Sequence, residues 1–244
     1  LEDAYTTGAM GLFAEQCVEK YGFTREEQDA FAMTSLDRAK AAISEGKFES
    51  EITPFTVSSR RGDVQYDIDE QPGKGNPDKI PQMRPAFKKD GSVTAANSSS
   101  ISDGAAALVM TRLSVAEEMG LKPLAKICAH ATNSHEPEWF TTAPVGAIQK
   151  LLEKVSWSKD DVDLYEINEA FAVVTMATMK ELDLPHDKVN VHGGACALGH
   201  PIGASGARII VTLLAAMQTY NKSKGVAGIC IGGGEATAIA LELM

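Results

Sequence analysis

The chain has 244 residues, with 23 Lys and Arg against 33 Asp and Glu, and so carries a formal net charge of −10. Hydrophobic residues make up 44% and charged residues 23%, values typical of a folded globular protein, which excludes global disorder. No apolar run reaches the roughly 18–20 residues that a transmembrane helix requires, so we expect no membrane partner. The acidic balance argues against nucleic acid as the main partner, because phosphate binding requires a basic surface.

The first hundred residues have an irregular pattern. A capping box at Thr24–Glu27 predicts the start of a helix that ends at Gly46, and 52–57 is typical of a strand. Four of the ten prolines fall within 60–89, which predicts a long loop, and such loops are usually functional or mobile. Next we expect a strand at 105–110 and a short helix that Ser114 caps.

The pattern becomes regular after residue 123. It predicts strands at 124–131, 163–167, 189–191, 226–231 and 236–243, and helices at 145–155, 169–182 and 209–217. This order indicates an α/β fold with a mixed, mostly parallel sheet and helices on both of its faces.

Four cysteines are present without any C-x-x-C spacing: Cys17, Cys128, Cys196 and Cys230. With no secretory signature, they are expected to be free thiols in a reducing compartment, and we expect a cytoplasmic protein. The first residue is Leu1 rather than Met, which indicates a processed chain or a piece of a longer protein.

Three chemically active side chains follow predicted strands. Asn168 follows the strand 163–167, His200 lies in the glycine-rich segment after 189–191, and Cys230 lies near the end of 226–231. Ligands of α/β sheets bind outside the carboxyl ends of the strands, so these side chains converge if the strands are neighbours. Each also has a structural alternative: Cys230 as a core residue, and His200 and Asn168 as helix caps. The glycine density around His200 and after Cys230 favours close approach of the backbone to a ligand.

Several other site types are excluded. No G-x-G-x-x-G dinucleotide fingerprint, phosphate-binding loop or G-x-S-x-G nucleophile turn is present. His130 and His135 do not have a zinc spacing, and Cys196 and Cys230 lack partner pairs, so we expect no metal site.

The motifs together resemble one family, the thiolases, which comprise acetyl-CoA acetyltransferases and 3-ketoacyl-CoA thiolases. The resemblance rests on five blocks, namely 29–31, 97–107, Asn168–Phe171, the Gly-His segment 193–206, and Cys230–Gly234. It implies a thiolase-like α/β fold. The implied domains are a coenzyme A-facing loop domain at 1–100, a remainder of the amino-terminal domain at 101–122, and the carboxyl-terminal domain at 123–244.

The resemblance also implies catalytic roles. His200 resembles the histidine that activates the nucleophilic cysteine and helps to bind the thioester oxygen. Cys230 resembles the second cysteine, an acid and base that moves the α-proton and protonates the leaving thiolate. Asn168 resembles the residue that holds a water in the first oxyanion hole, and the N–H of Gly232 resembles part of the second. A thiol beside an imidazole is expected to be partly ionised near neutral pH.

Coenzyme A contacts follow by the same resemblance. Ser99 resembles the serine that contacts pantetheine, and Phe87, Phe171 and Met10 resemble apolar contacts along that arm. Three cations in the predicted loop would suit the phosphates of the nucleotide: Lys74, Lys79 and Arg84. Coenzyme A thioesters are then substrates, and no separate cofactor is expected.

Two departures from the family pattern matter. No cysteine here matches the family's nucleophile, so the chain resembles the later part of a thiolase, and we expect an amino-terminal half as its partner. Ala9 stands where many short-chain members carry His, which leaves the preferred acyl length open.

The implied activity is condensation of two acetyl-CoA to acetoacetyl-CoA, or the reverse thiolysis, in a homodimer or homotetramer. The alternatives are a 3-ketoacyl-CoA thiolase of longer chains, another condensing enzyme of the same fold, and a non-catalytic coenzyme A-binding fragment.

Overall fold

A computed structural model describes all 244 residues, and its amino-terminal part is helical. Helix α1 (Met10–Tyr21) is followed by α2 (Arg25–Ser44). The predicted capping box is confirmed, because Glu27 N–H donates to Thr24 Oγ1 at 3.1 Å and Thr24 N–H donates to Glu27 Oε2 at 2.7 Å. Helix α2 ends two residues before Gly46, close to the predicted position.

The next segment is more ordered than the sequence predicts. The predicted strand 52–57 lies at β1 (Phe55–Ser59) and pairs with an unpredicted strand, β2 (Gly62–Tyr66). Helix α3 (Glu70–Lys74) and a 3₁₀ helix (Pro77–Gln82) follow, so the prediction of one long loop at 60–89 is wrong. A hairpin forms here because Gly62 adopts a φ of +108°, which permits the tight turn between the strands.

The predicted strand at 105–110 does not form. The segment has no regular structure, and Val109 is 98% exposed. No other strand lies beside it, so its backbone has no pairing partner and its apolar side chains remain in solvent. The expected short helix is present as α4 (Leu113–Glu118), although Ser114 lies within it and does not cap it.

A four-stranded mixed sheet forms the centre of the carboxyl-terminal part. Its order is β3 (Ala125–Ser134), β6 (Glu235–Leu243), β5 (Lys224–Ile231) and β4 (Leu164–Ile167). The mixed sheet is confirmed, but the expectation of mostly parallel pairing is wrong. Only β4 and β5 are parallel, because the short turn between β5 and β6 returns the chain antiparallel and β3 then pairs antiparallel with β6.

The predicted strand 189–191 is reduced to one bridge between Tyr165 and Val189. The chain turns there, because Asn190 has a φ of +49° and Gly193 a φ of +78°, and both values interrupt an extended strand.

Helices cover both faces of the sheet, as predicted. Helix α5 (Ala143–Val155) packs on one face through Ile148 and Leu151, and α8 (Ser205–Thr219) packs on the other through Leu213 and Met217. Side chains along the strands alternate between the two faces accordingly. In β4, Tyr165 faces α5 and the preceding residue, Leu164, faces α8.

Two further helices complete the part that positions the site. Helix α6 (Ala172–Leu182) contacts α1, α2 and α5, and α7 (Ala195–Leu198) contacts α2. None of the helices combines the length and the apolar character needed to cross a membrane.

Candidate functional site

Asn168 is the first residue beyond β4, at the carboxyl edge of the sheet. Its N–H donates to the Gly228 carbonyl of β5 at 2.9 Å, and its side chain is 1% exposed. Cys230 lies two residues after Gly228 in β5. Asn168 and Cys230 are therefore at the neighbouring carboxyl ends of β4 and β5. Asn168 does not cap α6, because that helix begins only at Ala172 and its N-cap residue, Phe171, makes no side-chain cap.

His200 lies in the loop between α7 and α8 and faces Asn168. Its Nε2 atom is 3.4 Å from Asn168 Nδ2, and its Nδ1 atom is 2.6 Å from the Oγ of Ser205. Its backbone N–H donates to the Ser100 carbonyl at 2.9 Å, which fixes the loop to the 97–101 segment. The capping alternative for His200 is excluded as well, because the N-cap position of α8 is Ala204.

The electrostatic surroundings favour a neutral His200. Partial burial lowers the pKa of the imidazole, and the positive charge of Arg208 lowers this pKa further. The ring therefore has an unprotonated nitrogen at neutral pH, as a general base requires.

Cys230 lies in an apolar cluster with Phe13, Phe140 and Phe171. Burial raises the pKa of its thiol to about 12, so the thiol is neutral at physiological pH. The ring nitrogens of His200 bond to Ser205 and Asn168 and not to Cys230, so no imidazole offsets the effect of burial as the expectation of a partly ionised thiol requires.

The turn after Cys230 needs glycine. Gly233 and Gly234 have φ values of +91° and +82°, and a Cβ atom on Gly234 would lie 2.3 Å from the carbonyl oxygen of His135. Gly232 is exposed at the start of this turn, and a Cβ atom there would lie 3.7 Å from the terminal methyl of Met10. The structure therefore brings Met10 and Gly232 together.

Glu169 is a residue of the site that the sequence analysis missed. It is 1% exposed, and its carboxylate accepts hydrogen bonds from Ser35 Oγ at 2.7 Å, Asn190 Nδ2 at 2.8 Å and Cys196 N–H at 3.0 Å. Burial raises its pKa, and these three bonds oppose that shift. A carboxylate directly after Asn168 was the available signal, but its partners are distant in sequence. Glu169 thus links α2 and the glycine-rich loop to Asn168.

Two of the predicted coenzyme A contacts, Ser99 and Phe87, lie against the Asn168–Phe171 segment, which contains a third, Phe171. Ser99 donates to the Ala170 carbonyl through both N–H and Oγ, at 3.1 and 2.9 Å. The rings of Phe87 and Phe171 meet edge to face with centroids 5.9 Å apart. Phe87 also covers the start of α1, where a Cβ atom on Gly11 would lie 2.2 Å from its ring.

The three predicted phosphate-binding cations do not join this group. Lys74, Lys79 and Arg84 are exposed, and Lys74 pairs with Glu70 at 3.1 Å. An open cleft of about 420 Å³ lies beside His200, between 102–106 and 201–204. No group of three or more His, Cys, Asp or Glu residues is arranged to hold a metal ion.

Comparison with known proteins gives consistent results. The family described as "Thiolase, N-terminal domain" matches residues 1–114, and "Thiolase, C-terminal domain" matches residues 121–243. The acetyl-CoA acetyltransferase of Chromobacterium violaceum is 50% identical over 244 residues, which are 99% of this chain and 62% of that protein.

Solved structures agree with this result. A crystal structure of the Bacillus anthracis acetyl-CoA acetyltransferase superposes with a TM-score of 0.97 at 45% identity, and human mitochondrial 3-ketoacyl-CoA thiolase with a TM-score of 0.93 at 35%. Each comparison covers 100% of this chain and 62% of the other chain. The chain therefore spans about three fifths of the length of its relatives.

Proposed function

The chain belongs to the thiolase family, and from this premise we propose that it is the later part of an acetyl-CoA acetyltransferase. The reaction is the condensation of two acetyl-CoA to acetoacetyl-CoA and coenzyme A, or the reverse thiolysis, with no separate cofactor. The observation that carries the proposal is the proximity of His200 and Asn168, 3.4 Å apart at the strand end next to that of Cys230.

The proposed roles satisfy the chemistry of a Claisen condensation. A nucleophilic thiolate attacks the thioester carbon of acetyl-CoA, and coenzyme A leaves as a thiolate that takes the proton of Cys230. The Cys230 thiolate then removes an α-proton from a second acetyl-CoA. The resulting enolate attacks the acetyl-enzyme, which breaks the bond to the nucleophile and releases acetoacetyl-CoA. A thiol that is neutral at rest, as Cys230 is, suits the first of these proton transfers.

Preorganised donors would stabilise the negative charge that develops on oxygen. In the proposed site, His200 activates the nucleophile and then donates to the thioester oxygen, together with a water held by Asn168. The N–H of Gly232 forms part of a second oxyanion hole. Ser99, Phe87, Phe171 and Met10 would line the pantetheine arm, and Arg84 would meet the nucleotide.

We propose that the nucleophilic cysteine comes from outside these 244 residues. Burial raises the pKa of Cys17 to about 11 and that of Cys196 well above its ordinary value, so neither is a ready thiolate. Cys128 lies on β3, away from the strand ends that carry the site.

An amino-terminal half would cover apolar side chains that this chain leaves in solvent. Ile202 lines the cleft beside His200 and is 54% exposed, and Ile101 and Val109, which lie before and after the 102–106 wall of the cleft in sequence, are 74% and 98% exposed. In the proposed full-length protein these side chains would be covered. We further propose a homodimer or homotetramer in the cytoplasm, where its four free cysteines would stay reduced.

The thiolysis of a series of 3-ketoacyl-CoA thioesters by the full-length protein tests this function. The similarity to the acetyl-CoA acetyltransferase of Chromobacterium violaceum supports a short acyl group. We expect acetoacetyl-CoA to have a higher kcat/KM than 3-ketodecanoyl-CoA. The reverse order would favour a longer-chain thiolase, and no turnover of any substrate would favour a non-catalytic coenzyme A-binding protein.

A further inference from the structure

Ser205, the first residue of α8, contacts the ring of His200 from the side opposite Asn168. Its side chain is fully buried, and its Oγ atom lies 2.6 Å from His200 Nδ1 and 3.0 Å from the carbonyl oxygen of Pro201. The hydroxyl therefore has two partners, of which the carbonyl oxygen can only accept.

The direction of the Ser205 hydroxyl sets the tautomer of His200. A carbonyl oxygen can only accept, so a hydroxyl proton directed at Pro201 leaves Oγ with only lone pairs for the imidazole. In that arrangement His200 Nδ1 carries the proton of the 2.6 Å contact. A neutral imidazole has one N–H, so Nε2 keeps its lone pair, and at 3.4 Å it can accept from the amide of Asn168.

We propose that Ser205 is the positioning residue for His200, which it keeps protonated on Nδ1 so that the Nε2 lone pair faces the reacting groups. This inference rests on the proposed role of His200 as the base for the nucleophile. A base in the other tautomer would present an N–H to the nucleophilic thiol and could not take its proton. Ser205 acts only through His200 and does not contact the substrate.

The loop geometry supports this assignment. The N–H of His200 donates to the Ser100 carbonyl at 2.9 Å, and the N–H of Ser205 donates to the Pro201 carbonyl at 2.8 Å, which closes the segment into a turn. This turn places Ser205 Oγ next to Nδ1 of the ring.

The ring ¹⁵N shifts of His200 report its tautomer directly. The full-length protein is labelled with ¹⁵N in histidine only, and His200→Gln identifies the His200 signals among those of the five histidines of this chain and any others. At pH 8 we expect the shift pattern of a neutral ring protonated on Nδ1. Ser205→Ala should move the proton to Nε2, and Ser205→Thr, which keeps the hydroxyl, should restore the Nδ1 pattern.

Ser102→Ala is the matched control, because the Ser102 hydroxyl bonds to Ser100 and not to the ring. It should leave the His200 shifts unchanged. A wild-type ring protonated on Nε2, or a Ser205→Ala ring that stays protonated on Nδ1, would overturn the proposal.

Kinetics add a second measurement. We expect Ser205→Ala to lower kcat for thiolysis on the order of 100-fold with KM nearly unchanged, because only the proton transfer is impaired. An unchanged kcat together with a changed tautomer would overturn the positioning role. The tautomer measurement needs no turnover, so a failure of the proposed activity would be distinguished from a failure of this inference.

Discussion

The buried carboxylate of Glu169 is the most consequential single group of the fold around the site. Glu169→Ala removes the acceptor of three hydrogen bonds, those from Ser35 Oγ, Asn190 Nδ2 and Cys196 N–H. A buried donor left without an acceptor costs roughly 1–3 kcal/mol, so the loss should be at least about 3 kcal/mol of unfolding free energy. This is a large fraction of the ~5–15 kcal/mol of a typical domain.

Glu169→Gln should cost less, because it keeps the shape and one carbonyl oxygen and turns only one acceptor into a donor. Urea unfolding of the full-length protein, followed by tryptophan fluorescence, measures both changes. Glu153→Ala on the exposed face of α5 is the control and should shift the midpoint little. A Glu169→Ala loss of unfolding free energy below about 3 kcal/mol, or a Gln variant less stable than the Ala variant, would contradict this expectation.

Three further results are expected. In the proposed mechanism His200 serves the nucleophile and an oxyanion whereas Asn168 acts through a water, so His200→Ala should slow thiolysis more than Asn168→Ala. The loss of one oxyanion donor alone costs on the order of 100- to 1000-fold, and rates in the opposite order would contradict this ranking. Burial raises the pKa of Glu166 to about 8, above the ordinary 4.5. Between these two pH values the folded state binds more protons than the unfolded state. The free energy of unfolding should therefore fall as pH rises from 4.5 to 8. Glu166→Gln should reduce this slope in urea titrations at several pH values, and an unchanged slope would show that Glu166 is not its source. The 244-residue chain expressed alone should be inactive and prone to association, whereas co-expression with an amino-terminal half should restore thiolysis; a monodisperse, active chain on its own would contradict this.

The parts of the fold that local chemistry determines could be predicted from the sequence. The capping box at Thr24 fixed the start of α2, and the apolar spacing identified α5 and α8 because each helix buries one face against the sheet. The short turn at 232–234 is a local signal for an antiparallel pair, which the prediction of a mostly parallel sheet did not use. The strand that lies on the other side of β6 could not be predicted in this way, because it is a long-range property.

Two of the candidate site residues could be located from predicted strands, since Asn168 follows β4 and Cys230 lies near the end of β5. His200 could be located by the glycine-rich segment, because the strand expected before it is only a bridge. Glu169 accepts three hydrogen bonds, and its partner Ser35 is 134 residues away in sequence. The prediction of a strand at 105–110 is wrong although its apolar pattern is typical of a sheet, because no other strand of this chain pairs with it.

The location of the acyl group on the enzyme tests the central claim most directly. The full-length Cys230→Ser variant is incubated with acetyl-CoA, digested, and mapped by mass spectrometry. We expect the acetyl group to accumulate on a cysteine outside these 244 residues, because acylation proceeds while the following α-proton transfer is blocked. An acetyl group on Cys17, Cys128 or Cys196, or condensation at the wild-type rate by this variant, would contradict it.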